Sequence, residues 1–129
     1  MANQFVVQLK NDPGAMATLA EALAARGVDL RAIGGGGIGD AGHVIMTTAD
    51  DDTTKAVLDE GGYTYIEGES ILTEVDDRPG GMAALSRQLA DAGVNIYGHL
   101  FLGRWGDRAM FAFVVDDPDR ARPILERKR

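Results

Sequence analysis

The chain has 129 residues, 45% hydrophobic and 26% charged, with 17 Gly, 4 Pro and no Cys; this is the composition of a folded domain and excludes collagen-like, disordered, disulfide-stapled and cysteine-dependent classes. Its formal charge is −7, and since the last ten residues hold five basic groups and one acidic one, the preceding 119 carry −11, which repels nucleic acid. No apolar run reaches the roughly 20 residues of a membrane span, and Met1-Ala2-Asn3-Gln4 lacks the features of a secretory signal, so the expected address is cytoplasmic, without membrane contact.

Phe5 to Leu9 alternates as a strand does, and Asp12 and Pro13 are suited to be the N-cap and first residue of a following helix. Met16, Leu19, Ala20 and Leu23 recur at helical spacing, and Gly27 suits the left-handed residue after a helix. Val28 to Ile33 reads as a strand, Gly34 to Gly42 as a glycine-rich reversal and His43 to Thr48 as a returning strand. Asp50-Asp51-Asp52-Thr53 caps a short helix through Leu58, and Tyr63 to Ile66 is β-rich again. The order is β-α-β-β-α-β. It then repeats: a strand at Ile71 to Val75, a helix from Pro79 to Ala92, strands at Val94 to Leu102 and Ala109 to Val115, and a helix after Asp116-Asp117-Pro118 that contains Pro123. No clear fourth strand follows. The basic tail Arg120, Arg122, Arg127, Lys128 and Arg129 fits a helix end, whose dipole favours cations.

The repetition is visible in the residues. An offset of 66 aligns Pro13–Leu30 with Pro79–Ile96 without a gap and gives nine identities in 18 positions, including Pro13/Pro79, Gly14/Gly80, Leu19/Leu85, Leu23/Leu89 and Gly27/Gly93. The same offset lays Asp50-Asp51 over Asp116-Asp117. Such duplication makes each copy one supersecondary unit, residues 1–68 and 69–129. Right-handed crossovers in a β-α-β-β-α-β chain give an antiparallel sheet with both helices on one face, so the expected class is α+β with two ferredoxin-like modules.

The segment Asp77-Arg78-Pro79-Gly80-Gly81-Met82, then a leucine-bearing helix, then Ala92-Gly93-Val94-Asn95-Ile96 resembles the ACT domain. Asn11-Asp12-Pro13-Gly14-Ala15-Met16 with Arg26-Gly27-Val28-Asp29-Leu30 repeats the pattern, and the likeness spans about residues 4 to 126 as a tandem pair. The resemblance implies a non-catalytic, allosteric module that binds an amino acid. It implies a ligand between neighbouring modules, near the first strand-helix loop of one and the second strand of the other, and a metabolic enzyme or regulator as partner.

The chemistry of the loop agrees independently. A helix start presents unpaired N–H groups and about half a positive charge, which suit a carboxylate. Gly14, Gly80 and Gly81 lack the Cβ that would hold a ligand away, and Asn11 or Asp77 with Asp29 or Asn95 offers acceptors for an ammonium group. Arg78 and Asn95 favour the second copy for tighter binding; as plain turn residues, all of these would cap and bend the chain. No cofactor or metal is expected.

Gly34-Gly35-Gly36-Gly37-Ile38-Gly39 has dinucleotide-loop spacing, but a strand, not a helix, follows it. His43, His99, Ser70 and Ser86 lack the neighbours of a metal or nucleophile site. Tyr97, Phe101, Trp105 and Phe111 suit an apolar pocket, a subunit contact or core packing, and Met16 and Met82 suit the helix core face. Two other readings stand: a duplicated β-α-β-β-β metalloenzyme resembling the glyoxalases, and an interaction module whose open edge pairs with another chain. A self-paired edge makes a homodimer the expected state.

Overall fold

In the computed structural model, which describes residues 3–126, the chain forms two compact units that divide between Gly68 and Glu69. Three residues of the basic tail, Arg127, Lys128 and Arg129, lie outside the described residues.

The first unit runs β1 (Asn3–Lys10), α1 (Ala15–Ala25), β2 (Leu30–Ile38), β3 (Ala41–Thr48), α2 (Asp51–Glu60) and β4 (Tyr65–Glu69), with sheet order β2-β3-β1-β4. Alternation puts Phe5 and Val7 of β1 and Val44 and Met46 of β3 on one face, where Leu19 and Leu23 of α1 and Val57 and Leu58 of α2 close a single core. Both helices therefore lie on that face. The Leu19–Leu23 spacing of four residues is what lets α1 present one stripe to the sheet.

The second unit runs β5 (Ile71–Asp76), α3 (Gly81–Asp91), β6 (Ile96–Trp105), β7 (Arg108–Val115) and α4 (Pro118–Leu125), with sheet order β5-β7-β6. Ile71, Val75, Leu85, Leu89, Phe113, Val115, Ala121 and Leu125 form its core. The class is α+β, as expected, and among the described residues the second sheet has no fourth strand. Pro118 opens α4, and the internal Pro123 goes with a helix of only eight residues. The element after β3 and β7 is a helix in each unit, which is at odds with the β-α-β-β-β reading.

Three expectations need correction. The helices do not begin at Pro13 and Pro79: Gly14 and Gly80 are the N-caps, at φ +86° and +90°, and Ala15 and Gly81 are first. That left-handed backbone disfavours any side chain, and it, not Asp12, fixes the helix start. The run Gly34–Gly37 is no reversal; β2 continues through it to Ile38, paired from Gly34↔Ile45 to Ile38↔Ala41, and the turn is only Gly39-Asp40. Pairing with β3 overrides the weak strand preference of glycine.

The 66-residue offset also does not persist to the second helices. It relates Leu30 to Ile96, but 67 residues separate Ala41 from Arg108 and the capping residues Asp50 and Asp117. The extra residue lies at a bulge in β6, where pairing jumps from Phe101↔Phe111 to Gly103↔Met110 and passes over Leu102.

Candidate functional site

The two Pro-Gly loops leave the sheet in the same way. Asn11 N–H donates to the Asp40 carbonyl at 3.1 Å, and Asp77 N–H to the Asp107 carbonyl at 2.8 Å, so each loop is tied to the hairpin tip beside it. Each then turns through its left-handed glycine into α1 or α3. Ala15 N–H reaches the Asp12 carbonyl and Thr18 N–H the Gly14 carbonyl; Gly81 and Ala84 repeat this with Arg78 and Gly80. Between them the N–H groups of Met16 and Ala17, and of Met82 and Ala83, have no partner among the described residues, and no side chain caps either helix.

The other two helices are finished differently. The Asp50 carboxylate accepts from Thr53 N–H at 3.0 Å and from the Thr53 hydroxyl at 2.6 Å, bonds that hold its pKa below the ordinary carboxylate value. Asp117 accepts from Arg120 N–H at 3.1 Å. The chain thus caps α2 and α4 with acids and leaves the N-terminal amides of α1 and α3 open to an anion.

Around the first loop lie two cavities, both within the first unit. One of about 360 Å³ lies between the loop, the first turn of α1 and β2, against Asn11, Met16, Ile33, Gly35 and Val44. The other, of about 770 Å³, lies against Lys10, Pro13, Thr18, Asp40 and Tyr63. Asp12 and Ala15 border both. Asn11 spends one amide hydrogen on the Gly39 carbonyl at 2.9 Å, while Asp12 and Lys10 are exposed and carry no ion pair among the described residues.

The second loop, which Arg78 and Asn95 were expected to make the tighter site, has its acids paired within the unit. Asp77 accepts from Arg104 Nε at 2.8 Å, and Asp76 pairs with Arg108 and, at 3.3 Å, with Arg78. Gly81 has a packing role: a Cβ there would stand 2.1 Å from the Asp76 carbonyl oxygen, so its missing side chain serves the contact between α3 and β5 and leaves no room for a ligand. At Gly14 and Gly80 the corresponding space holds no described atom within 4 Å.

Asp29-Leu30 and Asn95-Ile96 stand elsewhere. Lys10 faces Ala41 whereas Leu30 faces Thr48, seven residues along β3, or roughly 23 Å at strand rise. Asp76↔Arg108 and Ile96↔Val115 give the same separation in the second unit. Within one unit the loop acceptors and the strand-opening acceptors therefore do not meet. Asp29 pairs with Arg31 at 3.3 Å, and Asn95 N–H donates to Asp116 at 2.9 Å.

Met16 and Met82 pack partly buried against their cores. His43 and His99 lie on β3 and β6, and among the described residues no three His, Asp or Glu side chains gather as a metal site would need. Tyr97, Phe101 and Trp105 are exposed, and Phe111 packs partly buried against the second core. Sequence reasoning read Gly35 as part of a glycine-rich reversal, and it overlooked Arg104 and Arg108. At the original offset Phe101 falls on Gly35, an apolar ring over a glycine, which was the available signal; Arg104 falls on Gly37 only after the bulge is counted.

No family model matches this chain, and no curated protein matches it. Its fold is found among solved structures. Protein BT0572 from Bacteroides thetaiotaomicron superposes with a TM-score of 0.71 at 20% identity, over 97% of this chain and 86% of that one. The ligand-free regulatory subunit of aspartate kinase from Thermus thermophilus gives 0.62 at 20%, over 97% and 87%. The corresponding subunit from Thermus flavus gives 0.63 at 17%, over 98% and 92%. At these identities the likeness establishes the fold. Among the described residues no helix is long and apolar enough to cross a membrane.

Proposed function

We propose that this chain is a non-catalytic regulatory protein that binds a free amino acid at a Pro-Gly loop. The observation that carries the reading is the contrast in helix ends: the carboxylates of Asp50 and Asp117 cap α2 and α4, whereas among the described residues no side chain caps α1 or α3, whose first-turn amides lie behind a left-handed glycine. Those amides, with Gly14 leaving space above them, suit an α-carboxylate. Asp12 and the free amide oxygen of Asn11 suit the ammonium group beside it. Asp29-Leu30 or Asn95-Ile96 of another module supplies the remaining contacts in this reading, and Asp77, Arg78, Gly80, Gly81 and Met82 form the corresponding loop of the second copy.

The neighbours that are named regulatory subunits of aspartate kinase support a regulatory role; in this reading the chain acts on a metabolic enzyme or regulator, in the cytoplasm and as a homodimer. Ligand binding would act by favouring one packing of modules over another. Thermal-shift measurements against the twenty amino acids test the reading. A ligand at about 100 times its dissociation constant adds about 2.7 kcal/mol of stability, and a flat response to all twenty sinks the proposal.

A further inference from the structure

We propose, resting on the amino-acid reading above, that only the first unit takes ligand, that its groove selects an apolar side chain, and that Phe101 and Arg104 occupy the same place in the second unit as a built-in substitute. Gly35 pairs with Val44, and Phe101 with Phe111, so the two positions correspond and lie on the helix-bearing faces of their sheets. In the first unit Gly35 lets the β3 backbone come close, since a Cβ there would stand 2.5 Å from the His43 carbonyl oxygen, and with no ring at this position a space of about 360 Å³ stays open between Met16, Ile33 and Val44. In the second, the Phe101 ring stands there, edge-on to Phe111 at 5.6 Å between centroids.

The substitute is polar at its outer end. Arg104 lies over the Phe101 ring at 4.8 Å and is held by Asp77 at 2.8 Å. Asp77 corresponds to Asn11, two residues before the proline, where the first unit has a free acceptor in place of an ion pair. An apolar body beneath a cation held by that loop position is the pattern a bound apolar amino acid would present. The lining of the first groove agrees: Leu9, Met16 and Val44 are half-buried or buried, while Lys10, Asn11 and Asp12 are exposed. A charged ligand side chain among the apolar residues would lose hydration without a partner.

Titration calorimetry of the full chain with leucine, methionine, phenylalanine, lysine and aspartate tests this. The expected result is one equivalent per chain, with the three apolar amino acids binding at least tenfold more tightly than lysine or aspartate. Ile33, half-exposed on the groove wall, and His99 hold equivalent positions, paired with Met46 and Phe113. Ile33→Glu should weaken binding tenfold or more, and His99→Glu should leave it within twofold. Two equivalents per chain, a preference for lysine or aspartate, or equal losses from both variants would overturn the inference while leaving amino-acid binding intact. Absence of binding by any of the twenty removes the underlying reading as well.

Discussion

The first Pro-Gly loop has free acceptors and open space beside it, whereas the second, built on the same backbone, has its acids paired with arginines and a ring in its groove. Duplication supplied two equivalent helix starts, and a few side-chain changes left the acceptors beside the first unpaired and paired the acids beside the second with arginines. Comparing them teaches that a shared backbone need not carry a shared role.

The comparison can be attacked first through what the units have in common. Leu23 and Leu89 are fully or almost fully buried at equivalent positions, so Leu23→Ala and Leu89→Ala should each cost about 2–5 kcal/mol in urea unfolding. A large asymmetry would mean that one core is looser than its packing indicates. Next come the residues that differ. Ala15 and Gly81 are both first in their helices, but only at Gly81 would a Cβ meet a backbone oxygen at 2.1 Å. Gly81→Ala should therefore destabilise by about 1–3 kcal/mol, while Ala15→Gly should cost no more than about 1 kcal/mol.

Thr73 occupies the place of Val7, and its buried hydroxyl has no partner among the described residues. Thr73→Val should raise stability by about 1 kcal/mol, since it removes an unsatisfied group at nearly constant volume; a lower melting temperature would show that the hydroxyl is satisfied. Asp77→Ala, which breaks a largely exposed pair, should cost less than about 1 kcal/mol. Its clearer expected effect is a released Arg104, detectable by guanidinium NMR.

The smallest expected effect concerns acid pH. The Asp50 pKa is lowered in the fold by the Thr53 hydroxyl and amide, so its contribution is present above its unfolded value of 3.8 and is lost as pH falls through the folded value. Asp50→Ala should flatten the acid side of the stability–pH curve, measured by thermal melts across that range. No corresponding term arises at Gly14 or Gly80, which have no side chain to titrate.

Much of the fold was legible because periodicity and duplication agree: Leu19 and Leu23 mark the buried stripe of α1, and the 66-residue repeat transfers it to Leu85 and Leu89 of α3 without error. The loop was legible as a helix start but its cap was not, because Asp12 and Gly14 both suit that role and only the left-handed backbone decides. The glycine run was misread because strand pairing with β3 is a tertiary effect that local preference does not carry. The closure of the second loop was hidden because Asp77 and Arg104 lie 27 residues apart and meet through the hairpin.

The bulge at Leu102 also limits how the two halves can be recombined. Exchanging the β2–β3 hairpins requires swapping residues 30–48 for 96–115, a segment one residue longer. A graft cut at constant spacing would shift the donor strand by one position and turn its inward side chains outward. Any chimera meant to move the ligand groove from one half to the other must therefore carry the irregularity along with the residues it displaces.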